Sequence, residues 1–370
     1  MSYLPEKRVT MKDVARATGV SVMTVSYALR GSREVSAATR EKVLRTAEDL
    51  GYRRDPMLTR LATYRTAKKR SDRGLALAWL NLHPDKSTWA FRGSHFLEAW
   101  EGARLRAEKI GYHLDSFSLA EAGCWERLSG ILRSRGIEGV IIGQPPPGMV
   151  EAQLEFEHFA TVAVGRAIRR PELPRVVLNH VELVRRVMAR MVAMGYRRIG
   201  LVMERGECVK NTFRNFSGYF GACEQLGVPA ADIVPPLTPG QLDADNLGQW
   251  IQAHRVEGIL VHREDQMDRL LPELGLRVPE DIGFAHLSTH QPSERISGFF
   301  FDPALYGSWA VDLVHWLLDR GERGVPVTSP SVILTGGEWQ AGRTLRDTGE
   351  IRSSVEDEDT GGQTQHRNRR

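Results

Sequence analysis

The chain has 370 residues, of which 41% are hydrophobic and 26% charged, the make-up of an ordinary globular protein with length for two or three cores. No apolar run approaches the roughly 18 residues of a membrane span and the N-terminus has no apolar signal segment, so membrane insertion and secretion are not expected. The formal charge is only +4, but residues 1–73 hold 17 Lys and Arg against 8 Asp and Glu, so the head carries +9 and the remaining residues −5. Three cysteines, Cys124, Cys208 and Cys223, lie far apart without a C-x-x-C pair. That excludes a disulfide framework or zinc-finger spacing and fits a reducing cytoplasm.

In chain order, Thr10 and Asp13 form a capping arrangement ahead of a short helix with Met11, Val14 and Ala15 on one face, ending at Gly19. Ser21 caps a second helix at once, and two short helices joined by a tight glycine turn predict a helix-turn-helix, whose second helix lies in the DNA major groove. A third helix is predicted from Ser36, with Val43, Leu44, Ala47 and Leu50 at helical spacing, to Gly51. On the second helix Val25, Ala28 and Leu29 can face the core. Val22, Met23, Ser26, Tyr27 and Arg30 then share the opposite face, where large apolar side chains would suit base edges better than water. Val22 and Met23 suit thymine methyls, Tyr27 a base edge or phosphate, and Thr24, Ser26 and Arg30 phosphates. The candidate DNA-facing set is completed by Thr10, Ser21, Ser36, Thr39 and Tyr52. Asp55-Pro56 starts a further helix of barely two turns, too short to stand alone, which needs a second copy or DNA as a partner.

Residues 64–73 read as a basic linker. From Leu75, apolar runs alternate with helix-period stretches: LALAWLNL (75–82), a helix from His95 to Ile110, GVIIG (139–143), ATVAVG (160–165), IGLVM (199–203), GILVH (258–262) and IGFAHL (282–287). This alternation predicts βα units and parallel sheets, and about ten strands call for two lobes. The stretch from Asp347 to Arg370 has one Ile and one Val as its only large apolar residues and is expected to be disordered. No dinucleotide-binding glycine motif, phosphate loop or H-E-x-x-H is present, so no enzyme chemistry and no cofactor or metal is expected. His83, His95, His262 and His286 are expected to be structural.

The phrases VTMKDVARATGVSVMTVSYALRG, REVSAATREKVLRTAEDLGY, DPMLTRLA, MGYRRIGLVM and GLRVPEDIGFAHL resemble the lactose and galactose repressor family of bacterial regulators, over roughly residues 8–345. The resemblance implies a homodimer on a palindromic double-stranded operator, hinge helices paired in the minor groove with Leu61 as the wedge, and a two-lobed body resembling type I periplasmic binding proteins that closes on a small-molecule effector. It departs at Tyr27, where arginine is usual, at Val22 and Met23, which are often polar, and at Asp55, where asparagine is commoner. Half-sites richer in A·T follow. In the pocket phrases, Asn215 replaces an arginine and Ser288 an aspartate, with Arg214 a substitute by register shift. Trp79, Trp89 and Phe91 complete the candidate effector set, as rings able to stack on a ligand.

The expected architecture is therefore multidomain: an all-α helix-turn-helix head (1–54), a hinge helix and linker (55–73), an α/β body of two doubly wound parallel-sheet lobes (74–345) and a tail (346–370). The first lobe is expected at about 74–174 and 302–324, the second at about 175–301 and 325–345. The alternatives are a cytoplasmic ligand-binding protein of periplasmic type, or a regulator answering to a protein partner instead of a small effector.

Overall fold

The computed structural model describes residues 9–29, 35–52, 75–84, 94–146, 148–149, 151–328, 330–334 and 336–346. Arg30, the hinge helix with Leu61, the linker, Trp89, Phe91 and the tail from 347 lie outside these residues. The chain divides into two compact units, one running to Leu75 and including Leu317–Glu322, the other comprising Ala76–Trp316 and the residues from Arg323.

The head is built from α1 (Met11–Thr18), α2 (Val22–Leu29) and α3 (Ala37–Asp49). Asp13 accepts the N–H of Thr10 at 2.9 Å and its hydroxyl at 2.7 Å, closing the start of α1. Gly19 ends the helix at φ 72°, a left-handed position that glycine enters without steric cost, and its N–H donates to Ala15. Ser21 and Ser36 cap α2 and α3 alike: each Oγ accepts the backbone N–H three residues on, from Thr24 at 3.0 Å and Thr39 at 3.3 Å. Val14, Ala15, Val25, Ala28, Val35, Val43 and Ala47 form the buried core. Leu44 and Leu50 differ from expectation, being 46% and 39% exposed. With three short helices, the core is filled once Val43 and Ala47 enter it, and the next apolar positions on α3 fall outside.

The body starts with β1 (Leu75–Asn81), α4 (His95–Lys109), β2 (Tyr112–Ser118), α5 (Leu119–Ala122), α6 (Trp125–Ser134), β3 (Gly139–Ile142), β4 (Ala160–Val164) and β5 (Arg175–Leu178). It continues through α7 (His180–Ala193), β6 (Ile199–Val202), α8 (Arg205–Lys210), α9 (Arg214–Gln225), α10 (Ala244–His254), β7 (Gly258–Val261), α11 (Glu264–Glu273), β8 (Gly283–Thr289) and β9 (Gly298–Phe300). The last elements are α12 (Ala304–Arg320), β10 (Ser331–Leu334) and β11 (Glu338–Gln340).

The strands make two sheets, one of order β10-β5-β4-β3-β1-β2 and one of order β11-β9-β8-β7-β6. Pairing is parallel along β1, β3, β4, β5 and β10 and along β6 to β9, and β11 joins antiparallel, against β9. The inner strands β3 and β4 are buried throughout, as helices on both faces of a parallel sheet require, whereas the edge strand β2 alternates buried and exposed.

The expected lobe boundaries need correction. β5 pairs with β4 through Ala163↔Arg175 and Val164↔Val176, and β10 pairs with β5, so 175–178 and 331–334 belong to the first sheet. Pro174 therefore precedes the last strand of the central first-lobe run, and the crossover comes after it, where Asn179 caps α7 by accepting the N–H of Glu182 at 3.2 Å. Arg175, only 7% exposed, locks this turn by donating to the carbonyls of Ile168 (3.0 Å) and Leu173 (3.2 Å). α4 and α12 cross so closely that a Cβ on Gly307 would strike the carbonyl oxygen of Ala99.

Candidate functional site

On α2, Val25 and Ala28 are buried, while Val22 is 39% and Met23 64% exposed on the other side. Ser26 is half-buried. Tyr27 is also half-buried and packs against the head core, so its ring is not wholly on the outer face as expected; at eight residues, α2 has too narrow an outer face to hold it. Tyr52 packs against the same core, and its N–H donates to Ala47 at 2.8 Å. The hydroxyls of the proposed phosphate ligands serve the helix ends: Ser21 pairs with Thr24 and Ser36 with Thr39, each at 2.8 Å, and Thr10 donates to Asp13. These contacts fix the N-termini of α2 and α3, where free backbone N–H groups favour an anion. Lys12 and Arg16 on α1 and Lys42 and Arg45 on α3 are exposed.

In the body, a cavity of about 270 Å³ lies at the carboxyl ends of the strands, the place where open parallel sheets leave a crevice. Trp79, Phe96 and Tyr306 give it apolar wall, and Gln144, Arg166 and His180 enter from the segments just after β3, β4 and β5. His262 and Ser288 come from the ends of β7 and β8, His290 follows β8, and Lys210 and Asn211 end α8.

Of the expected effector residues, Trp79 and Ser288 line this cavity, but Asn215 and Arg214 do not. Asn215 is 1% exposed, with its amide nitrogen 3.6 Å from the Met203 sulfur. The reason is local. Thr212 and Phe213 take left-handed φ of 52° and 55°, ending α8 and starting α9, and Lys210 and Asn211 at the end of α8 reach the wall instead. His95 and His262, expected to be structural, are wall residues too.

The wall is well ordered by its own contacts. His95 meets Gln144 at 3.3 Å through Nε2 and stacks on His290 with ring centroids 4.8 Å apart. The Ser288 N–H donates to Nδ1 of His286 at 3.0 Å, while Ser288 Oγ and His262 Nδ1 are buried without a partner. Burial, then Lys210, brings His95 down to about 4, against the opposing Gln144 hydrogen bond. Burial, followed by Arg166, Arg214 and Lys210, brings His180 to about 4 as well. His262 falls well below the ordinary histidine range through burial and the neighbouring His286, His180, His290 and Lys210. These three rings are therefore neutral near pH 7, able to exchange hydrogen bonds with a polar ligand. Among the described residues no group of three or more His, Cys, Asp or Glu is placed to hold a metal, and no helix is long and apolar enough to cross a membrane.

The sequence profile "Bacterial regulatory proteins, lacI family" matches residues 10–55, the head just described. The HTH-type transcriptional regulator PtxS of Pseudomonas plecoglossicida is 24% identical over 308 residues, 78% of this chain and 86% of its own. Catabolite control protein A of Priestia megaterium is 26% identical over 227 residues, 60% of this chain and 64% of its own. Among solved structures, CcpA of Lactococcus lactis aligns with TM-score 0.54 at 15% identity over 74% of this chain and 100% of that one. The "transcriptional regulator CelR-cellobiose complex" aligns with TM-score 0.51 at 18% identity over 91% and 100%. These likenesses give the chain the fold of solved transcription regulators, and the curated relatives include transcriptional regulators. Residues 10–55 thus match the lacI family of bacterial regulatory proteins, and over 78% of its length the chain is similar to a transcriptional regulator.

Proposed function

We propose that the protein is a repressor that binds a palindromic operator as a homodimer, with a small-molecule effector in the body cavity changing its affinity for DNA. The observation that carries this reading is the outer surface of α2, where Val22 and Met23 stand exposed at the helix start capped by Ser21, in a head of net positive charge. Large apolar side chains on the second helix of a helix-turn-helix suit thymine methyl groups, and the cations of the head suit phosphate. Two such heads on an inverted repeat require two copies of the chain.

The proposed parts are the head (1–54), the hinge and linker (55–73), the two-lobed body (74–345) and the tail (346–370). DNA-facing roles go to Thr10, Ser21, Val22, Met23, Thr24, Ser26, Tyr27, Arg30, Ser36, Thr39, Tyr52 and Leu61. A cytoplasmic location suits a DNA partner. Two neighbours in fold support the assembly and the ligand: one is described as a lac repressor dimer bound to operator and an anti-inducer, the other as a cellobiose complex. Effector and operator would then be linked reciprocally through lobe closure.

The test is selection of binding sites from a random duplex library by the full-length protein. An inverted repeat with A·T-rich arms and a deformable centre is the expected product. Enrichment of a single unrepeated site, or of nothing, would overturn the dimeric reading.

A further inference from the structure

Charge in the cavity is unbalanced. Arg166, after β4, and Lys210, at the end of α8, bring one cation from each lobe to the wall, and Arg214 lies close enough to depress the Arg166 and His180 titrations. The one carboxylate on the described wall is Glu207, 3.8 Å from Lys210. Arg263 is held by Asp265 at 2.7 Å. Arg166 has no ion pair among the described residues, and its Nε is buried without a hydrogen bond, as is Nε of Arg214. A part-buried guanidinium without a counterion is costly, and neutral histidines around it supply no negative charge.

We propose that the cavity binds a small organic anion, with a carboxylate or phosphate on Arg166 and Lys210 and a hydroxyl or carbonyl toward Ser288 and His262. The apolar remainder lies against Trp79, Phe96 and Tyr306. Arginine suits this role because its planar fork meets two oxygens of either anion at once. Ser288, 2% exposed with its Oγ unpartnered, is a fixed polar contact awaiting a second group on the ligand. The cavity of about 270 Å³ admits a small metabolite and not an oligosaccharide. This inference rests on the regulator reading for its biological meaning, but not for its test.

The test uses full-length protein, with malonate and inorganic phosphate as anionic probes and malonamide as the uncharged isostere, followed by thermal melting and titration calorimetry. Malonate, phosphate or both are expected to raise the melting temperature of the body saturably, and the stronger of the two distinguishes carboxylate from phosphate chemistry. Malonamide is expected to have no effect. Arg166→Gln is expected to weaken the anion about ten- to a hundredfold, as loss of a charged hydrogen-bonding partner does, while Arg166→Lys retains part of the binding. Ligand-free Arg166→Gln is expected to melt no lower than the parent, since it removes an unpaired, part-buried charge. Lys12→Gln, in the head, should leave the response unchanged and so separates the cavity from anion binding to the head.

Equal stabilisation by malonamide, an unchanged anion titration in folded Arg166→Gln, or no response to either anion would overturn the proposal. Operator selection and anion binding are read in separate experiments. A protein that selects its operator but ignores anions loses only this inference; one that binds anions but selects no DNA loses the regulator reading.

Discussion

Acidification tests the cavity electrostatics quantitatively. His95 and His180 titrate at about 4 in the folded protein against an ordinary 6.5, so between these values the unfolded chain binds more protons than the folded one. Stability from these two residues is therefore complete above pH 6.5 and lost as pH falls toward 4. From about pH 7 to about pH 5 the loss is about 2 kcal/mol for each histidine, or about 4 kcal/mol together. At roughly 2–4 °C per kcal/mol for a body of this size, the melting temperature should fall by roughly 8–16 °C. Calorimetry of the wild type and His180→Gln across this range measures it, and the variant should lose about 2 kcal/mol less than the parent, the share of His180. A flat melting temperature, or an equal fall in His180→Gln, would refute the assignment of burial and the Arg166, Arg214 and Lys210 charges as the cause.

Other outcomes follow from packing and from the hinge. Gly307→Ala forces a methyl group into the Ala99 carbonyl at the α4–α12 crossing and should destabilise the body by about 3 kcal/mol in urea titration; a loss below about 1 kcal/mol would show that the helices can separate cheaply. Arg175→Met strips the carbonyls of Ile168 and Leu173 of their donor and should cost about 2 kcal/mol by the same assay, whereas a neutral result would mean that other donors reach them. Leu61→Ala should weaken binding to the operator and spare the salt-dependent affinity for unrelated duplex, as expected of a wedge; equal loss on both would remove that role.

The parts of the molecule that local chemistry determines were readable in the chain itself. Thr10 with Asp13, Gly19, Ser21 and Ser36 announce the head helices, and the structure has each helix begin or end there. Apolar runs such as GVII and GILV announce inner strands because parallel strands are buried on both faces. Sheet membership was not readable at Arg175–Leu178 and Ser331–Leu334, since pairing partners are distant and a proline ahead of a strand looks like a boundary. The cavity was harder still. Gln144, Arg166, His180, His262 and His290 are scattered in sequence and meet only when the strands align, although each lies one or two residues past a strand end. Applied to the predicted strands, the rule that ligands sit at carboxyl ends would have pointed to Gln144 and His262 before Asn215.

The central claim is that α2 reads bases through Val22 and Met23. The most direct measurement is fluorescence anisotropy of full-length protein on its selected operator and on a scrambled duplex of equal length, comparing the wild type with a Val22→Ser, Met23→Ser double variant at about 0.15 M salt, where the phosphate term is moderate. Both side chains are exposed, so the head should fold unchanged. The account requires the variant to lose about tenfold or more on the operator and nothing on the scrambled duplex. Unchanged operator affinity in the variant, or equal losses on the two duplexes, would contradict it.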